Sequence, residues 1–194
     1  MTIFRLEEKD LPFKVKRKDK PKIVHKRAEP ESGVIGVYHP DSHTVEMYKG
    51  ATPMDTQHEI AHYQLHDFRR TGEESLDELA EEEIQADLLA FSRTIIEPED
   101  YKQRLMGIID FMKKQLEHWD ADDFAKARRV AQVVTKAMLK YWRWLPPEWK
   151  DAYYEMRKQY RAYKTRISTA RQKQVKRKRG EKQEKLTPKI STVR

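Results

Sequence analysis

The chain has 194 residues, 38% apolar and 37% charged, which suits one domain with a modest core and an appendage. It has no cysteine, so disulfides, thiolate zinc sites and cysteine nucleophiles are excluded, and any metal must be held by histidine and carboxylate. No apolar run approaches the roughly 20 residues that span a bilayer, and MTIFRLEEKDLPFKVKRKDK lacks the apolar stretch of a signal peptide; the expectation is a cytoplasmic protein with no membrane partner.

The formal charge of +8 averages unlike parts. Residues 33–100 carry 16 Asp and Glu against 4 Lys and Arg, a formal −12, whereas 157–194 carry 15 Lys and Arg against 2 Glu, a formal +13. Residues 1–32 are Lys-rich and Pro-punctuated, and read as partly extended and partly loose. VIGVYH at 34–39 and HTVEMYK at 43–49 are rich in β-branched and aromatic residues and flank Pro40-Asp41-Ser42, which predicts a hairpin.

Thr52-Pro53-Met54-Asp55 then has the form of a capping box with proline at the first helical position. It predicts a helix to about Phe68. Ser75-Leu76-Asp77-Glu78 is a second capping box, and its helix should stop before Pro98. Apolar residues at helical spacing predict a helix over about 99–118. A cap within Asp120–Asp123 opens another, to about Leu145, which Pro146-Pro147 would break. A last helix starts near Glu148 and fades into a basic run with no apolar stripe, expected to be disordered without a partner.

The chemistry concentrates in the first of these helices. His58-Glu59-Ile60-Ala61-His62 is an H-E-x-x-H motif. Residues four apart on a helix are rotated by only about 40°, so both imidazoles can reach one ion, with Glu59 beside them as a base for a water. Taken alone, the motif is also compatible with two surface histidines and a solvated glutamate. A catalytic zinc ion, Zn2+, takes three protein ligands and keeps a fourth position open, so a third ligand is required. The metzincin pattern would need glycine and histidine where Leu65 and Phe68 stand, and a SprT-like downstream histidine is missing between His66 and His118.

A glutamate from the next helix remains, with Glu81, Glu82 and Glu83 as candidates. Glu83-Ile84-Gln85-Ala86-Asp87 discriminates among them. It puts a carboxylate for the metal and a second carboxylate, Asp87, on one helical face, where Asp87 can accept a hydrogen bond from the outer N–H of a ligand histidine. Glu81 and Glu82 lack such a partner and are expected on a solvated face.

HEIAHYQLH followed by EEEIQADLLAFSRTIIEP resembles the ImmA/IrrE metallopeptidase domain, and the preceding hairpin and capped helix fit the same pattern over residues 33–98. The chain departs from it in having Asp87 where that family often has Asn, and in closing on Glu97-Pro98. The resemblance implies a small gluzincin-like fold, His58, His62 and Glu83 as zinc ligands, Glu59 as catalytic base, and cleavage of a protein substrate such as a transcriptional repressor.

The expected fold class is α+β, a small hairpin or sheet packed on zinc-binding helices with a mostly helical C-terminal extension. The expected divisions are a basic segment 1–32, a metallopeptidase-like domain 33–98, a helical extension 99–164 and a basic tail 165–194. His66 continues the i, i+4 series but lies roughly 12 Å along the axis from His58, so it is expected to line a pocket or pack rather than bind the same ion. Tyr63, His66 and Arg93 are candidate oxyanion helpers, and an extended substrate could add to the edge of strand 43–49. YWRWLPPEW at 141–149 reads as a packed corner between helices, or as a docking surface. The tail, with Tyr interleaved among Lys and Arg, could contact nucleic acid. The alternative function is a non-enzymatic nucleic-acid- or protein-binding adaptor whose zinc site is structural or vestigial.

Overall fold

A computed structural model of the chain describes residues 4–27, 35–65, 75–95, 97–159, 161, 162, 165, 168 and 169. Its sheet has three short strands, β1 (Lys22–His25), β2 (Gly36–His39) and β3 (Thr44–Met47), in the order β1-β3-β2. β2 and β3 are the expected hairpin, antiparallel with Gly36 opposite Met47 and His39 opposite Thr44. A 3-10 turn, Pro40–Ser42, joins them and ends on His43 at φ 49, a left-handed conformation in which His is one of the commoner non-glycine residues. β1 comes from the basic N-terminal segment and pairs parallel with β3. The strand expected to offer its edge to a substrate, β3, is therefore central and paired on both sides, and the edge strand of the hairpin is β2.

Burial follows the period of two along β3, where Val45 and Met47 point into the core with Tyr38 and Tyr63. Tyr63 belongs to α1 (Pro53–Leu65), so the sheet packs on one side of that helix. Its other side meets α2 (Leu76–Phe91), with Ala61, Leu65, Ala86 and Leu89 in one cluster sealed by Leu11, Phe13 and Val15 of the N-terminal segment. The second half of α1 is buried on every side, as expected of a helix held between two layers.

Both predicted capping boxes form. The Thr52 N–H and hydroxyl donate to Asp55 Oδ2 at 2.8 and 2.7 Å, and Asp55 N–H donates to Thr52 Oγ1 at 3.2 Å. Ser75 and Glu78 cap α2 in the same reciprocal way. α2 ends at Phe91, well before Pro98. There Ser92 Oγ donates to the Leu89 carbonyl at 2.7 Å and Arg93 N–H to that of Ala90 at 3.1 Å, bonds that tighten and close the last turn. Pro98 instead opens α3 (Pro98–Gln115), which buries Tyr101, Leu105, Ile108 and Met112 along one stripe.

Asp122 caps α4 (Asp123–Lys140), its carboxylate accepting from Ala125 N–H at 2.6 Å. This helix stops five residues before the expected Leu145. A 3-10 turn at Trp142–Trp144 follows, with Tyr141, Leu145 and Trp149 buried around it. Trp149 is fully buried, donates Nε1–H to the Tyr101 carbonyl at 2.5 Å and meets Phe91 edge-on, so the aromatic run is a packed corner. Residues 147–153 are helical. The chain divides into two units, Met1–Tyr153 and Tyr154–Arg194, and the second is helical over 154–159 and at 161 and 162. The expected end of the first helix at 66–68 and most of the basic tail lie outside the described residues. Among the described residues no helix is long and apolar enough to cross a membrane.

Candidate metal centre

His58 and His62 lie one turn apart on α1, buried at 7% and 6% exposure, where α1 faces α2. The small residues Ala61 and Ala86 pack in the cluster between these two helices. Glu83 of α2 closes the group: His58 Nε2 lies 3.0 Å from His62 Nε2 and 3.3 Å from Glu83 Oε2, and His62 Nε2 lies 3.5 Å from Glu83 Oε1. One donor atom from each residue can be chosen so that all lie within 4.8 Å of one another.

Asp87, one turn beyond Glu83, is completely buried, and its Oδ1 accepts from His58 Nδ1–H at 2.7 Å. With the proton on Nδ1, a neutral His58 presents a lone pair at Nε2. That lone pair faces the second imidazole and a carboxylate oxygen, an arrangement of converging donors that calls for a cation between them. The spacing suits a tetrahedral ion. With donors about 2.0–2.1 Å from such an ion, the donor–donor edge is about 3.3 Å; the two imidazole nitrogens stand 3.0 Å apart, and the Glu83 carboxylate brings Oε2 to 3.3 Å from one and Oε1 to 3.5 Å from the other.

The electrostatics of the metal-free site favour a cation at this place: without metal it is the proton on His58, which a metal would displace. Burial and the neighbouring Arg104 cation push His58 toward its neutral form, but Asp87 and Glu83 outweigh them and raise it to about 10. Burial pushes the Glu83 carboxyl up, yet His62 and His58 hold it well below the usual carboxylate range. Asp87 is likewise held low against its burial by Arg104 and His58.

The site opens into a cleft of about 780 Å³ bordered by β2, the start of α1 and α3. His58, Glu59, His62 and Glu83 line it, together with Gly36, Val37, Tyr38, Arg104 and the apolar Ile35, Met54, Ile108 and Phe111. Glu59 is half-buried and lies against Gly36 of β2, so closely that a Cβ on residue 36 would come within 2.8 Å of Glu59 Cγ and 3.2 Å of Oε1. The carboxylate thus has a wall of bare backbone on one side and the cleft on the other.

Two residues named as oxyanion helpers are engaged elsewhere and do not line the cleft. Tyr63 OH donates to Asp19 Oδ2 at 2.6 Å, and Arg93 bridges Glu8 and Gln64 at 2.9 and 2.6 Å. His66 lies outside the described residues. Glu81 does not lie on a solvated face: it accepts from Tyr141 OH at 2.7 Å and Gln85 at 3.1 Å and pairs with Lys140.

Arg104 of α3 carries no motif in the sequence, yet it reaches the site. Its Nε–H and Nη2–H donate to Asp87 Oδ1 at 3.0 and 2.6 Å, and its Nη1–H donates to Asp55 Oδ1 at 2.8 Å. A buried Asp87 implies a cation somewhere, but nothing in the α3 sequence marks which one. Comparison with protein-family models, with curated proteins and with solved structures found no match.

Proposed function

We propose that this chain is a zinc-dependent endopeptidase, with His58, His62 and Glu83 as metal ligands and Glu59 as the general base. The observation that carries the reading is the convergence of His58 Nε2, His62 Nε2 and the Glu83 carboxylate, with one donor atom from each within 4.8 Å of the others, in a cleft that Glu59 also lines. Zinc, when bound, would lower the pKa of a water toward about 7 and polarise the scissile carbonyl.

The protein's own groups supply the rest. Glu59 takes the proton from the attacking water at its carboxylate and returns it to the leaving amine. Asp87 holds the His58 ring at Nδ1 so that Nε2 keeps its lone pair for the ion. β2, an edge strand bordering the cleft, offers backbone N–H and C=O groups to an extended peptide. Glu59 weighs against a purely structural zinc site, which has no use for a carboxylate beside the ion and facing a cleft.

The substrate class follows from the sequence resemblance to ImmA/IrrE metallopeptidases, and is a DNA-bound transcriptional regulator. The formal +13 over 157–194 suits contact with phosphates, which would bring enzyme and substrate to the same nucleic acid. The test is zinc content of purified protein beside its His58→Ala and His62→Ala variants, together with hydrolysis of peptide libraries by wild type and Glu59→Gln. About one zinc per chain, lost in both histidine variants, and hydrolysis lost in Glu59→Gln are the expected results. Metal content unchanged by the histidine substitutions refutes the site.

A further inference from the structure

We propose that Arg104 is a positioning residue of the metal centre: it holds the Asp87 carboxylate in the orientation that receives His58 Nδ1–H, and through Asp55 it ties that orientation to the start of α1. The inference rests on the zinc-site reading above and extends it to α3, a helix with no metal motif.

Asp87 is a completely buried carboxylate, and such a group is costly unless it is paired and hydrogen-bonded. All its partners converge on one oxygen. Oδ1 accepts from His58 at 2.7 Å and from two nitrogens of Arg104 at 3.0 and 2.6 Å, while Oδ2 is buried with no hydrogen-bond partner. Turning the carboxylate plane away from this position would weaken all three bonds at once, and two of the three come from Arg104.

The third guanidinium nitrogen reaches Asp55 Oδ1 at 2.8 Å. Asp55 divides its oxygens: Oδ2 closes the cap with Thr52 and Oδ1 takes the arginine. Asp55 and His58 are three apart on α1, hence neighbours on one face. The planar fork of Arg104 therefore fixes the start of α1 against the middle of α2, on the side where the ligand histidines lie. An ammonium is a point charge on a flexible stem and cannot reproduce that geometry.

The experiment is a chelator-competition titration of zinc into full-length wild type, Arg104→Gln, Arg104→Lys, Asp87→Asn and the double variant Asp87→Asn/Arg104→Gln, with circular dichroism to monitor folding. Arg104→Gln should weaken zinc about 10- to 100-fold, the usual effect of removing a group that orients a ligand, and Arg104→Lys should fall short of restoring it. Because Arg104 acts through Asp87, the double variant should bind no more weakly than Asp87→Asn alone. Affinity within twofold of wild type in folded Arg104→Gln, or fully additive losses, would overturn the inference. If Arg104→Gln does not fold, Asp55→Asn beside Thr52→Ala decides, since the first weakens both the Arg104 anchor and the cap and the second the cap alone: a several-fold greater loss of affinity in Asp55→Asn supports the inference, and equal affinities refute it. Wild type that takes up no zinc overturns the site itself, a different outcome from wild type that binds and an arginine variant that binds equally well.

Discussion

The His58 ring and the Asp87 carboxylate meet at 2.7 Å across the α1–α2 interface, 29 residues apart in sequence. The contact is buried at both ends and shares its acceptor oxygen with Arg104. Removing the carboxylate leaves a buried imidazole N–H without its acceptor, and Arg104 with Asp55 alone. Asp87→Ala should therefore cost about 3–5 kcal/mol of stability, the range for breaking a buried ion pair from one side. Urea unfolding of metal-free protein measures it, and a loss under about 1 kcal/mol would show that the interface relaxes to let water in.

Glu83 and Glu81 sit two residues apart on α2 and point to different partners. Glu83 faces both histidines, and Glu81 faces Tyr141 and Lys140 of the C-terminal corner. Glu83→Gln should weaken zinc strongly and also lower the stability of the metal-free fold, where Glu83 pairs with buried His58 and His62. Glu81→Gln should leave zinc affinity unchanged and lower stability modestly, by about 1 kcal/mol, because its salt bridge is half-exposed. Zinc titration and thermal unfolding of both variants separate the two roles. Zinc lost in Glu81→Gln and kept in Glu83→Gln would reverse the assignment.

The site was more legible in the sequence than the frame around it. H-E-x-x-H and E-x-x-x-D are local patterns: helix geometry alone fixes which side chains share a face, so His58 and His62, and Glu83 and Asp87, could be paired on paper. What escaped depends on contacts between distant segments. β1 is four residues of a Lys-rich stretch with no alternating pattern, and it is a strand because β3 offers it a parallel partner. That pairing buries the edge of β3 and leaves β2 at the border of the cleft. Arg104 escaped for the same reason, since its partners lie 17 and 49 residues away. The end of α4 at Lys140 goes with a tertiary demand as well: Tyr141, Leu145 and Trp149 are buried together around the turn that follows it.

The His58 proton gives a pH dependence with a definite sign. Its ordinary value of 6.5 is raised to about 10 in the metal-free fold, so protonated His58 contributes stability that is fully present below about 6.5 and lost as pH rises through about 10. Metal-free protein should grow less stable across that window. Zinc needs the same Nε2 lone pair, so uptake near pH 8 should release about one proton from His58. Calorimetric titration in buffers of different ionisation enthalpy measures the release. No release, with wild-type affinity, would mean that His58 is already neutral without metal.

Gly36 gives the sharpest separation of metal binding from catalysis. It sits in β2 opposite Met47, and a Cβ there would come within 3.1 Å of Met47 Cε as well as 2.8 Å of Glu59 Cγ. The Met tip can move, and the Glu59 side chain has only the cleft to move into. A larger residue at 36 should thus shift the general base without touching His58, His62 or Glu83. Valine is a better strand residue than glycine, which offsets part of the cost of moving buried Met47, and unfolding of the metal-free variant measures what remains. Gly36→Val should keep zinc stoichiometry and affinity, while hydrolysis falls by about 10²- to 10⁴-fold, the range that a positioned base contributes. Gly36→Ala should lie between, because its methyl still meets Glu59 Cγ at 2.8 Å and forces a shift, but without the added branches of valine. Hydrolysis and zinc affinity measured on the same preparations decide it. Loss of zinc in Gly36→Val would show that the strand supports the ligands as well as the base, and full activity in both variants would remove Gly36 from the account of how Glu59 is held.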